Sequence, residues 1–225
     1  MKASSRKPAR ANGQSCTHND QHSIELTPTA DIKGLALGKR GEEAVWVVLM
    51  KWNNKGQPFG QIPALEDNDL TLFVSSAITS YVAEKFKETG AGLLRHKDLK
   101  EAALVKVWLE VKSQQFHPPM SSIVYQFYVA PTQGKTPDQA IIDANLVKLG
   151  QVLDVYETKL SSTKYLAGDF YSLADLHHFS YTYYFTKTPF ASLINERPHV
   201  KAWWEDITSR PAFKKVAEGM KFGCD

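Results

Sequence analysis

Between Ala64 and Phe73 the apolar positions fall into two short runs separated by acids. Ala64 and Leu65 lead into Glu66, Asp67, Asn68 and Asp69, after which Leu70, Thr71, Leu72 and Phe73 return; this pattern predicts a β-hairpin with an acidic turn. The period then changes. Ala77, Ile78, Tyr81 and Val82 recur at spacings of three and four, which predicts a helix with those residues on its buried face and Ser75 as its N-cap. Beyond Lys85 every periodic segment is helical. Asp98 to Glu101 has the form of a capping box ahead of Leu104, Val105, Trp108 and Val111, and Thr136 to Gln139 has the same form with Pro137 at the first helical position. Ile142, Leu146, Leu149, Leu153, Tyr156 and Leu160 step by four and three along one long helix that buries a single stripe. Ser172 to Asp175 is a third box, flanked by Tyr171 and Leu176 as a hydrophobic staple. Strands first and helices after predict an α+β chain.

Composition places the chain among globular proteins: 225 residues, 43% hydrophobic and 23% charged, leave room for one large core or two smaller ones. A net charge of +3 is too small to argue for nucleic acid, and the basic residues are interspersed with acids, with no aromatic-interleaved basic face. Two cysteines, Cys16 and Cys224, stand near opposite ends without metal or disulfide spacing, so a reducing compartment is the expectation. The longest apolar run, Ala44 to Met50, is far short of the roughly 20 residues a bilayer requires. Met1 to Asn19 carries Lys2, Arg6, Lys7 and Arg10 with no acid, which reads as a disordered leader or, alternatively, an organelle transit segment. Gly34, Gly38, Lys39 and Arg40 fail the phosphate-loop pattern, which needs four residues between its glycines and Ser or Thr after the Lys.

Chemistry concentrates in QPFGQIPALEDNDLTLF, residues 57–73. Pro63 has no amide hydrogen and suits the first residue of a strand, with Gly60 reinforcing a bend before it. A cis Ile62–Pro63 bond would turn the Ile62 N–H and C=O sideways, where they can pair with an extended tripeptide. The N-terminus of the following helix then points back beside this bend and attracts a carboxylate. Asp175 reads as a structural residue, since its box already occupies the carboxylate. His177 and His178 are adjacent and project a third of a turn apart, unlike the i, i+4 pair that shares a metal, so no metal site is expected. Phe116, Met120, Ile123 and Phe127 form an apolar stripe that serves either as core or as a small-molecule surface, with Pro118 and Pro119 arguing for a helix interruption beside a cleft. Trp203, Trp204 and Phe213 are assigned to packing of the last helices.

The runs PFGQIPALEDND, LF, SAI and YVAEKF, together with YLAGDFYSLADLHH and SRPAFKKV, resemble the plant phi class of cytosolic glutathione transferases from Pro58 to Phe222. The resemblance implies three segments: an atypical 1–55, a partial thioredoxin-like glutathione-binding domain over 56–88 and an all-helical domain over 97–222. It implies conjugation of glutathione to hydrophobic electrophiles by a cytosolic homodimer. Glutathione is then a substrate, and no metal is needed. By the same resemblance Gln61 and Ile62 hold the ligand backbone, Pro63 sets the bend, and Val74 and Ser75 stand where the family places an acid and a serine at the helix start. Val74 offers no acid to the ligand ammonium, and losing one charged hydrogen bond costs roughly 1.5 to 3 kcal/mol, so weak glutathione binding is expected. Phe116, Met120 and Ile123 are the expected surface for the second substrate.

A free thiol near pKa 8.5 is only a few per cent thiolate at neutral pH, so the family lowers it with a hydroxyl donor at the start of the first helix. That strand, helix and serine motif are not found in Met1 to Lys55; Ser15, Cys16 and Thr17 are the nearest in chemical type. Two other readings follow: a non-catalytic carrier of flavonoid-like or other aromatic molecules, and a divergent chain whose leader replaces the first βαβ unit.

Overall fold

The computed structural model describes Pro58, Phe59 and residues 63–220. Expectations for the leader, Ser15 to Thr17, Gly34 to Arg40, the run Ala44 to Met50, Cys16, Cys224, Gln61 and Ile62 concern residues outside that set. β1 (Ala64–Asp67) pairs antiparallel with β2 (Leu70–Phe73). Glu66 and Asp67, expected in the turn, continue the strand because they pair with Thr71 and Leu70. Only Asn68 and Asp69 remain for the loop, and Asn68 takes the left-handed conformation (φ 55°) that asparagine tolerates.

Helix α1 (Ser75–Lys85) packs Ile78 and Val82 against Leu65 of the hairpin. Ala77, read into the buried face, is exposed. Asp67 ties the two elements together by accepting the Tyr81 hydroxyl at 2.5 Å and the Lys85 ammonium. The Lys85 hydrogen bond holds the Asp67 carboxyl below the ordinary carboxylate range.

Next comes one long rod made of α2 (Leu99–Val111), α3 (His117–Val124) and α4 (Ala130–Thr132). Pro118 and Pro119 predicted an interruption, yet the rod does not break. Two π-helical turns, Lys112–Phe116 and Tyr125–Val129, join the pieces, and the widened i→i+5 pairing from His117 N–H to Lys112 C=O makes room for residues that lack an N–H. Helix α5 (Gln139–Leu160) follows and buries Ile142, Leu149, Leu153, Tyr156 and Leu160, with Leu146 half-buried. Four short or medium helices complete the bundle before the last: α6 (Leu173–Leu176), α7 (Phe179–Phe185), α8 (Ser192–Asn195) and α9 (Pro198–Ser209), then α10 (Pro211–Ala217).

The caps divide the work differently from the sequence pattern. Asp98 accepts the Lys100 and Glu101 N–H groups as expected, but the Glu101 carboxylate turns away to Arg95 at 2.7 Å, so the box is half formed. The cap of α5 is Asp138, which accepts the Ile141 N–H at 3.2 Å; Thr136 and Pro137 precede the helix. Ser172 and Asp175 do form the full box.

The core is organised around Tyr156. Its ring stacks on Phe116 (centroids 5.6 Å apart) and meets Trp108 edge-on at 5.3 Å and Trp203 at 6.4 Å. Asp175, fully buried, accepts four bonds: Leu166 N–H, Trp203 Nε1–H, Ser172 N–H and Ser172 Oγ–H, all at 3.0 to 3.1 Å. One carboxylate thus joins the segment before α6, α6 itself and α9. Glu157 of α5 performs a similar task by accepting the N–H groups of His199 and Val200 at the start of α9. Among the described residues no helix is long and apolar enough to cross a membrane.

Candidate functional site

The hairpin register puts Ala64 opposite Phe73, so Pro63, entering β1, and Val74, leaving β2, lie at the same end of the ribbon. Helix α1 starts there. Val74 precedes it with φ 71° and ψ 115°, a conformation that a β-branched residue adopts only when its surroundings dictate it. Its side chain is 52% exposed, so core packing is not what dictates it. The first bond of α1 runs from Ile78 N–H to Val74 C=O at 3.1 Å, which leaves the N–H groups of Ser75, Ser76 and Ala77 directed out of the helix end. Ser75, expected as the cap, is instead the first residue inside the helix and is exposed; the cap position belongs to Val74, which has no side-chain acceptor. A strained turn and a row of outward N–H groups make an anion-attracting corner next to Pro63. Gln61 and Ile62 lie outside the described residues.

Among the described residues, a polar contact between Thr79 and His177 fastens this corner to the bundle. The Thr79 hydroxyl of α1 lies 2.9 Å from Ser75 C=O and forms a 2.5 Å hydrogen bond with His177 Nε2. Burial, helped by the nearby Lys112 charge, depresses His177 to about 4 and keeps it neutral. His117 is depressed to about 4 by the same two causes, and its ring stands edge-on to Tyr181 at 4.7 Å.

Phe116, Met120 and Ile123, expected to face the second substrate, expose 1% or less of their surface and fill the core. Phe127 packs edge-on against Tyr128 and Phe190. The stripe belongs to the bundle because α5 and α7 close over that face of α3. The opposite face of the same rod lines a groove of about 430 Å³. Its polar rim consists of Ser121, Ser122, Tyr125, Gln126 and Tyr181. Val124, Val129 and Ile141 supply the apolar wall. No motif or period singled these residues out; the nearest signal was the spacing of Tyr125 and Val129, one turn apart on the face away from Phe116 and Met120. Tyr181 of the groove stands four residues after His177, the residue that meets Thr79 of α1. Among the described residues no three His, Cys, Asp or Glu side chains converge as metal ligands would.

A hairpin and helix with a forced turn at the helix mouth, docked on a helical bundle, is the second half of a thioredoxin-like domain joined to an all-α domain. Sequence models of the glutathione S-transferase N-terminal and C-terminal domains match residues 49–84 and 116–211. Glutathione S-transferase F13 of Arabidopsis thaliana is 60% identical over 163 residues, covering 72% of this chain and 74% of that protein. Among solved structures, glutathione transferase F7 from Populus trichocarpa superposes with a TM-score of 0.74 at 72% identity, over 75% of this chain and 79% of that one. Glutathione S-transferase I from maize, in complex with an atrazine glutathione conjugate, gives 0.71 at 48% identity, over 76% and 79%. The chain belongs to the plant phi class of the glutathione S-transferase family. It is a transferase by that membership, with glutathione as a substrate.

Proposed function

We propose that glutathione lies along the Gln61–Ile62–Pro63 main chain with its γ-glutamyl carboxylate at the mouth of α1, and that the electrophile occupies the groove between Ser121 and Tyr181. The observation that carries this reading is Val74: a strained, exposed β-branched residue opposite Pro63, with the N–H groups of Ser75 and Ser76 beside it. The glutathione thiol loses its proton, the sulfur forms a bond to the electrophilic carbon, and the leaving group or π pair departs with the electrons. The complex of the maize relative with an atrazine glutathione conjugate supports this reading.

The protein functions as a homodimer in this reading. Support comes from exposed apolar side chains: Phe59 is 73% exposed, and Leu104 shares an outward face of α2 with Val107.

Conjugation of glutathione to 1-chloro-2,4-dinitrobenzene, measured beside calorimetric titration of S-hexylglutathione, tests the proposal. Turnover with saturable glutathione dependence is expected. Binding of aromatic ligands without turnover would favour the carrier reading, and failure to bind either compound removes the proposed site.

A further inference from the structure

Within the electrophile groove, and resting on that proposed reading, one polar group has its orientation decided by the fold. Gln126 Oε1 accepts the Asp138 N–H at 2.9 Å, and Asp138 in turn caps α5 through Ile141 N–H. A backbone N–H facing the amide settles which end is oxygen, since the flipped amide would set donor against donor. Gln126 Nε2 and its two hydrogens are therefore turned away from α5, and no protein acceptor among the described residues takes them.

The other rim groups differ in kind. Ser121 gives its proton to Pro118 C=O at 3.1 Å, and Tyr125 gives its proton to Gln133 Oε1 at 3.0 Å, so both present lone pairs. Ser122 and Tyr181 carry rotatable hydroxyls that donate or accept as a ligand demands. Among the described residues lining the groove, only the Gln126 amide is a fixed donor and none is charged, and Val124, Val129 and Ile141 close its apolar wall.

We infer that Gln126 is a specificity-determining residue that selects neutral electrophiles bearing an acceptor oxygen, such as an enone carbonyl, over electrophiles of similar size without one. With an enone the thiolate sulfur bonds to the β carbon and the C=C pair moves to the carbonyl oxygen as an enolate. The Gln126 N–H groups face that oxygen, and the proton released by the thiol returns to the α carbon, so nothing leaves and no further reactant is needed.

The experiment compares wild type with Gln126→Glu, which keeps an acceptor for Asp138 N–H but loses the donors, and Gln126→Met, which removes both. The readout is the ratio of kcat/KM for benzylideneacetone to that for benzyl chloride, paired with equilibrium binding of benzylideneacetone and its hydrocarbon counterpart 1-phenyl-1-butene. The ratio should fall about fivefold or more in both variants, and the binding preference for the ketone should fall with it. Equal losses for both electrophiles, or an unchanged ratio, would overturn the assignment. If wild type turns over neither electrophile, the transferase reading of the groove fails, while the binding ratio still decides for or against Gln126.

Discussion

The Tyr156 hydroxyl and His178 Nε2 meet at 3.0 Å in the middle of the bundle. His178 Nδ1–H donates to Ala174 C=O at 2.8 Å, so Nε2 is the acceptor and the tyrosine is the donor. Burial depresses His178 to about 3, which keeps the ring neutral and able to accept. The pair joins α5 to the turn between α6 and α7 without introducing a charge.

Tyr156→Phe keeps the ring contacts with Phe116, Trp108 and Trp203 and removes only the donor. The imidazole acceptor is then left buried and unsatisfied, at a loss of about 1 to 3 kcal/mol. Urea unfolding should show a lower midpoint with an unchanged slope; an unaltered midpoint would mean that water replaces the hydroxyl.

Asp175→Ala should be far more damaging, because four donors from three separate segments lose their common acceptor at once. A loss on the order of 3 kcal/mol or more is expected. Burial pushes the Asp175 carboxyl up from its ordinary value while the four donors oppose that shift. Thermal melts of Asp175→Ala and Asp175→Asn, with Trp203 fluorescence as the probe, would check it; a melt within 2 °C of wild type contradicts the hub.

Acid should weaken the fold before the carboxylates titrate. His117 and His177 are depressed to about 4 and His178 to about 3, against an ordinary 6.5. Between roughly pH 6.5 and 4 the unfolded chain binds protons that the folded chain refuses, so stability is fully present above that window and falls as pH drops through it. The buried His177 and His178 each contribute up to about 1.4 kcal/mol per pH unit within the window, and the partly exposed His117, screened by solvent, contributes less. Urea midpoints measured from pH 8 to 4.5 should be flat above 7 and then decline, with a shallower decline in His177→Gln.

Val74 yields two predictions with separate readouts. Val74→Glu restores an acid near the ligand ammonium and should tighten glutathione by about ten- to hundredfold in calorimetry. Val74→Gly relieves the positive φ and should raise stability by up to about 1 kcal/mol in urea. Unchanged affinity in the first variant would remove position 74 from ligand contact, and a destabilised second variant would show that the turn is not strained.

Self-association should depend on the outward face of α2. Leu104→Glu with Val107→Glu is expected to move the chain from dimer to monomer in light scattering behind size exclusion, with the melt of the isolated bundle retained; persistence of the dimer would place the contact elsewhere.

Local relations along the chain were enough to establish the hairpin, the stripe of α5 from Ile142 to Leu160 and the Ser172–Asp175 box, because each depends on neighbours within four residues. The motifs from Pro58 to Val216 likewise identified the family. What periodicity could not decide was which face of the α2–α3–α4 rod is core. Phe116, Met120 and Ile123 are as apolar as a ligand surface requires, and only the packing of α5 and α7 against them turned Ser121, Tyr125 and Gln126 toward the groove instead. Tertiary partners also redirected two caps: Arg95 drew Glu101 away from its box, and Gln126 fixed the Asp138 backbone where α5 begins. Helical phase is written in the spacing of residues, but the side of a helix that faces solvent is chosen by whatever packs on the other.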